Sequence, residues 1–166
     1  RLMIAENYRF LPGVARVKEL MASGELGDLR LIDIQYEGFY PSRGWRRSLE
    51  RCGGGVLIDG GIHPVDIIVN VGGFPERVSA QYPPKVQPDG EGEDGIIMTA
   101  RLPGGAVGSL NYSTGTPRDR PNNRVGITGS KATLEFDPFG DDITVSTPEG
   151  SRTESLAPGK DAALQA

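Results

Sequence analysis

The stretch Gly95-Ile96-Ile97-Met98-Thr99-Ala100-Arg101-Leu102-Pro103-Gly104-Gly105-Ala106-Val107-Gly108-Ser109-Leu110-Asn111-Tyr112-Ser113 reads as two strands around a tight turn. Apolar and β-branched residues run through both arms, and Pro103-Gly104-Gly105 is the punctuation a hairpin needs. A β-like run precedes it at 77–82. Others follow at 123–128, 133–136, 143–146 and 153–156. Further back, residues 29–39 place Ile32, Ile34 and Tyr36 in alternation with Asp33, Gln35 and Glu37. A period of two predicts a strand with one buried face. Residues 2–5 read as a short strand.

Two segments carry helical signals. Pro12 opens the first, where its missing N–H costs nothing. Val14, Val17, Leu20 and Met21 recur at helical spacing, and Gly24 stops it. The second, over 59–71, is apolar on most sides and is expected to be buried. Asp59 is its expected N-cap, Pro64 fits near its start, and Gly72-Gly73 ends it. Helix, strand, helix and then a run of strands predict an α+β fold: a largely antiparallel, open-faced sheet with helices on one face.

The chain has 166 residues, 37% hydrophobic and 24% charged, which suits one soluble globular domain over 1–166. Gly 24 and Pro 13 are spread along it, marking a turn-rich β protein rather than a linker. No run approaches the roughly 18 apolar residues of a membrane span, and the N-terminus does not read as a signal peptide. A net charge of −4 and a pI near 5.1 argue against a broad nucleic-acid surface. Single copies of cysteine (Cys52) and histidine (His63) exclude an internal disulfide, a cysteine-rich zinc site and a histidine cluster. Cys52 reads as inert. No metal site is expected.

Neither glycine run fits a nucleotide loop. Gly53-Gly54-Gly55 has Ile58 at the last glycine position of a dinucleotide fingerprint, and Gly126-Ile127-Thr128-Gly129-Ser130-Lys131 has Ser130 where a Walker loop needs lysine. The chemically interesting segment holds Asp59, His63 and Asp66. Spacings of four and seven put them on one helical face, and a carboxylate beside an imidazole is an acid–base pair. The plainer alternative is a capping Asp59 and a core histidine. Arg43, Arg46, Arg47 and Arg51 surround Trp45 and could hold an anion, with Trp45 and Arg46 stacking; the alternative is a solvated loop. Asn7, Tyr8 and Arg9, between Glu6 and Phe10, form a polar cluster where binding loops sit, or an ordinary turn.

Several stretches then point one way: Ala5-Glu6-Asn7-Tyr8-Arg9-Phe10-Leu11-Pro12, Gly24-Glu25-Leu26-Gly27, the run Gly53-Gly54-Gly55-Val56-Leu57-Ile58-Asp59-Gly60-Gly61-Ile62-His63-Pro64-Val65-Asp66, and Gly126–Glu135. In order and distance the chain resembles the C-terminal domain of the glucose–fructose oxidoreductase, inositol dehydrogenase and rhizopine catabolism (Gfo/Idh/MocA) family. The resemblance implies the substrate-binding and oligomerisation domain of an NAD- or NADP-dependent oxidoreductase acting on a sugar, cyclitol or related secondary alcohol. It implies Asp59 and His63 as the catalytic pair, His63 being the acid–base. Asn7, Tyr8, Arg9, Trp45, Arg46 and Asp66 are the expected substrate contacts. The family's N-terminal Rossmann domain and Glu-Lys-Pro lysine are absent from these residues, and the C-terminus reads as cut short. The chain by itself is therefore expected to bind no dinucleotide and to do no hydride chemistry. Alternatives are a non-catalytic binding or regulatory member and a glycoside hydrolase with a transient NAD redox step. A cytoplasmic setting is expected.

Both faces of the later strands carry apolar side chains: Ile96 and Met98 oppose Ile97 and Thr99, and Val107 opposes Leu110 and Tyr112. Two helices cover one face only. The other predicts a homodimer stacked sheet to sheet, with Asp59 and His63 away from it.

Overall fold

In a computed structural model, residues 6–156 are described; the strand expected at 2–5 lies outside them. Pro12 opens helix α1, Pro12–Ala22, which buries Val14, Val17 and Leu20. Strand β1, Leu29–Glu37, follows and buries Ile32, Ile34 and Tyr36 while their neighbours face away. A short α2, Leu49–Cys52, ends at Gly53, whose φ of +80° suits glycine. A π-turn over Leu57–Gly61 leads into α3, Ile62–Gly72. Seven strands come next: β2 Arg77–Gln81, β3 Gly95–Arg101, β4 Val107–Ser113, β5 Asn122–Gly129, β6 Thr133–Phe136, β7 Asp142–Thr147 and β8 Gly150–Ser155.

Among the described residues the eight strands form one sheet in the order β2-β3-β4-β1-β5-β6-β7-β8. Adjacent strands are antiparallel except β1 and β4, which run parallel with Ile34 opposite Leu110. Parallel partners need a long connection, and the residues between β1 and β4 supply it, α3 included. The expected turn closes β3 onto β4 through Leu102 N–H to Ala106 O at 2.8 Å. The core lies between the sheet and its helices. Ile67 and Ile68 of α3 are buried against the sheet, and a Cβ on Gly108 of β4 would touch Ile68. Each fully buried side chain of this kind contributes roughly 1.5–3 kcal/mol. Residues 49–72 reach the mean hydropathy of a membrane span, 1.3. The break at Gly53 interrupts that run, and α3 buries Pro64, Ile67 and Ile68 while Ile62 is exposed and its other residues are half-buried, so it is a one-sided helix rather than one buried all round.

Two expectations need correction. Asp59 does not cap the second helix, because it sits inside the π-turn. The start of that helix is held instead by Glu93: its backbone O accepts from Val56 N at 3.1 Å and its carboxylate from Leu57 N at 3.1 Å. The open face of the sheet is also more polar than expected. Asp33, Gln35 and Glu37 run down its centre, with Ser109 donating to Asp33 at 2.5 Å, Asn111 to Glu37 at 2.9 Å, and Arg124 bridging Asp33 and Glu135. Apolar exposure there is confined to Leu31, Ile97 and Val107, since alternation assigns the larger apolar set to the helix side.

Candidate active site

His63 stands on the first turn of α3, half-buried on the helix-bearing side. The π-turn before it is a wide turn of a kind frequent at functional sites. It brings the Gly60 backbone against the tip of the Tyr112 side chain, which reaches over from β4, so a Cβ there would collide with the Tyr112 hydroxyl. Glycine is favoured there by close approach, not by φ.

The imidazole is held on two sides. Its Nδ1 lies 2.9 and 2.8 Å from the two carboxylate oxygens of Glu6, 57 residues earlier. Tyr8 stacks on the ring, with centroids 4.2 Å apart and planes 12° from parallel. Tyr8 N–H also donates to Glu6 at 2.9 Å, so the turn that presents the ring also fixes the carboxylate.

Asp59 is not the partner of His63. Its carboxylate accepts from Arg46 Nε at 2.7 Å, and the Arg46 guanidinium lies 4.4 Å above the Trp45 ring. Four-residue spacing aligns side chains in an α-helix, but Asp59 occupies the wider π-turn, where that register does not hold. Arg9 and Asp66, both expected to contact substrate, pair with each other: Arg9 Nε donates at 3.2 Å and Nη2 makes a second, shorter bond. Asn7 precedes the short 3₁₀ turn Tyr8–Phe10 and makes no side-chain cap to it. Thus Tyr8, His63, Asp66 and Arg9 come together, and Asp59, Arg46 and Trp45 form a neighbouring cluster. Glu6 was missed because nothing in local spacing connects it to residue 63.

Beside this cluster is a cavity of about 180 Å³ with aromatic walls, among them Tyr8, Tyr36, Tyr40, Tyr112 and Phe139, and with Glu37 and Asn123 at its polar side. Phe139 meets Tyr8 edge-on at 5.8 Å, so Tyr8 serves both the cavity and His63. The Tyr36 hydroxyl is buried with no hydrogen-bond partner among the described residues. Burial pushes its ionisation well above the ordinary phenol range. Burial, and then the charge of Asp59, pushes Tyr112 up to about 12. Both phenols are neutral hydrogen-bonding groups at any physiological pH.

With this geometry in hand, the sequence profile of the GFO/IDH/MocA C-terminal domain matches residues 14–135. The chain belongs to the GFO/IDH/MocA family. It is 31% identical over 144 residues to the trans-1,2-dihydrobenzene-1,2-diol dehydrogenase of Oryctolagus cuniculus, covering 81% of this chain and 40% of that protein. The chain therefore spans about two fifths of the curated relatives it matches. Its fold is similar to that of about half of levoglucosan dehydrogenase solved with NADH and L-sorbose (TM-score 0.84, 23% identity, 97% of this chain and 48% of that one). It is similar in the same way to half of aldose–aldose oxidoreductase from Caulobacter crescentus with glycerol (TM-score 0.84, 23% identity, 99% and 50%).

The N–H groups that follow the two glycine runs of this GFO/IDH/MocA domain are already bonded. A pyrophosphate needs free backbone N–H groups at a strand–helix turn. After Gly53-Gly54-Gly55, the N–H groups of Val56 and Leu57 are already bonded to Glu93, whose carboxylate sits where an anion would. In the other run, Ser130 N–H and Lys131 N–H are spent on Asp28 O and Leu26 O.

Proposed function

We propose that this domain binds a secondary alcohol of a sugar, cyclitol or related diol, and that His63 exchanges the hydroxyl proton in an oxidoreductase. The observation that carries the reading is a lone histidine, part-exposed, held by a carboxylate and a stacked ring at the edge of an aromatic-walled cavity. Aromatic faces suit the C–H faces of sugars and cyclic diols, and Glu37 and Asn123 suit their hydroxyls. The names of the relatives support the same substrate class. The hydride acceptor in this reading is NAD or NADP, held by residues other than those described. Phe10 and Ile62, close to Tyr8 and His63 in the chain, are exposed apolar side chains, as is Ile58, which suits a surface met by the part of the enzyme that carries the cofactor. Asp59, braced by Arg46, contributes negative charge near Tyr112 rather than orienting the imidazole.

The test is turnover of a polyol and diol panel by the full-length protein with NAD and NADP. His63→Ala is expected to lower kcat about 10²–10⁴-fold, the usual worth of a positioned acid–base group. Undiminished turnover sinks the assignment.

Self-association through the open sheet face is the second part of the proposal. No helix covers that face among the described residues, and Leu31, Ile97 and Val107 give it apolar points around the polar centre. Sedimentation at micromolar concentration should show a dimer that Leu31→Asp with Val107→Asp dissociates.

A further inference from the structure

We infer that Glu6 is the positioning residue of this site: it sets the tautomer of His63 so that Nε2 is the ring's proton acceptor. The inference rests on the proton-exchange role proposed above. Both carboxylate oxygens of Glu6 face Nδ1, at 2.9 and 2.8 Å. An ionised carboxylate can only accept. The neutral ring must therefore carry its proton on Nδ1, and the lone pair is left on Nε2. A substrate hydroxyl that gives up its proton gives it to Nε2, and the resulting imidazolium shares its charge with Glu6 through Nδ1–H.

Two contacts and the burial of Glu6 hold this arrangement. Tyr8 N–H donates to Glu6 Oε1 at 2.9 Å. The Tyr8 ring lies flat on the imidazole and opposes its rotation. The Glu6 side chain is only 15% exposed, so water competes weakly for the bond. The carboxylate suggested by helical spacing, Asp59, has its own partner in Arg46.

His63 is the chain's single histidine, so its ring nitrogens give one unambiguous ¹⁵N signal pair. Spectra of the 166-residue chain at alkaline pH should show a protonated Nδ1 and a pyridine-type Nε2. Glu6→Ala should move most of the population to the Nε2–H form preferred by free imidazole, and Asp59→Asn should leave the signals in place. Should Glu6→Ala fail to fold, Glu6→Gln replaces it. Its amide can donate or accept, so a mixed population is expected. A wild-type ring already in the Nε2–H form, or ring shifts unmoved by either Glu6 variant, overturns the inference. In the full-length enzyme, Glu6→Gln should lower kcat about 10–10³-fold with KM within about threefold. Loss confined to KM also overturns it. If His63→Ala turns over normally while the tautomer responds to Glu6, the proton-exchange role falls and the orienting contact stands.

Discussion

Arg9 and Asp66 meet in a two-pronged ion pair that fastens the turn Tyr8–Phe10 to α3, one helical turn beyond His63. The pair joins the segment that carries Glu6 and Tyr8 to the helix that carries the imidazole. Asp66→Asn keeps the shape and removes the charge. Because Arg9 is exposed, solvent screens the attraction, and Tm should fall by only a few degrees. The His63 ring signals should nonetheless broaden as Tyr8 loses its fixed position. Unchanged ring signals would mean that the turn is held without the pair.

Gly60→Ala should destabilise the fold by about 1–3 kcal/mol, the usual cost of overpacking, because the added methyl meets the Tyr112 hydroxyl. Tyr112→Phe in the same chain should recover more than half of the loss. A double-mutant cycle by urea denaturation measures the coupling. Strict additivity would show that the two residues do not touch.

Alkaline stability should fall from pH 10 upward. Tyr112 ionises near 12 in the folded chain, against an ordinary value of 10.0. Between those values the unfolded phenol has lost its proton and the folded one has kept it, so each rise in pH favours unfolding, by about 1.4 kcal/mol per pH unit at most. Below pH 10 the contribution is fully present. Tyr112→Phe should flatten this limb. Absorbance at alkaline pH should show Tyr112 and Tyr36 ionising above the ordinary phenol range.

Calorimetry of the chain with NAD and NADP should show no binding at micromolar concentrations, since the N–H groups after both glycine runs are already bonded. Glu93→Ala frees the N–H of Leu57 and should cost about 1 kcal/mol, as loss of a helix cap does. Tight binding by the unaltered chain would contradict the reading of the glycine runs.

Ile34 and Gln35 are neighbours on β1 that face opposite sides of the sheet. Ile34→Ala should cost about 2–5 kcal/mol through transfer and cavity terms. Gln35→Ala should cost far less, because its side chain lies on the uncovered face. Denaturant midpoints decide, and equal losses would mean that the open face is packed.

Much of the fold is legible in residue order because strand and helix periodicities are local. Alternation over residues 29–37 identifies the buried face of β1, and Pro103-Gly104-Gly105 marks the β3–β4 hairpin. His63 stands out in the sequence because it is the chain's single histidine and lies in a distinctive glycine-rich segment. Its partner is not. Helical spacing nominated Asp59, and the π-turn takes that residue out of register and hands it to Arg46.

Residue order by itself pointed to the two longer helices, to the strands of the sheet, to the inward face of β1 and to the family to which the chain belongs, since these follow from side-chain periodicity, turn chemistry and motif; α2 and the π-turn were not legible in it. Tertiary structure alone decided that Glu6 meets His63, that Glu93 holds the start of the second helix, that β1 and β4 run parallel, and that five aromatic rings from four parts of the chain wall one cavity. Those contacts join residues tens of positions apart. Their geometry is set by how the helices settle on the sheet, and no local pattern encodes it.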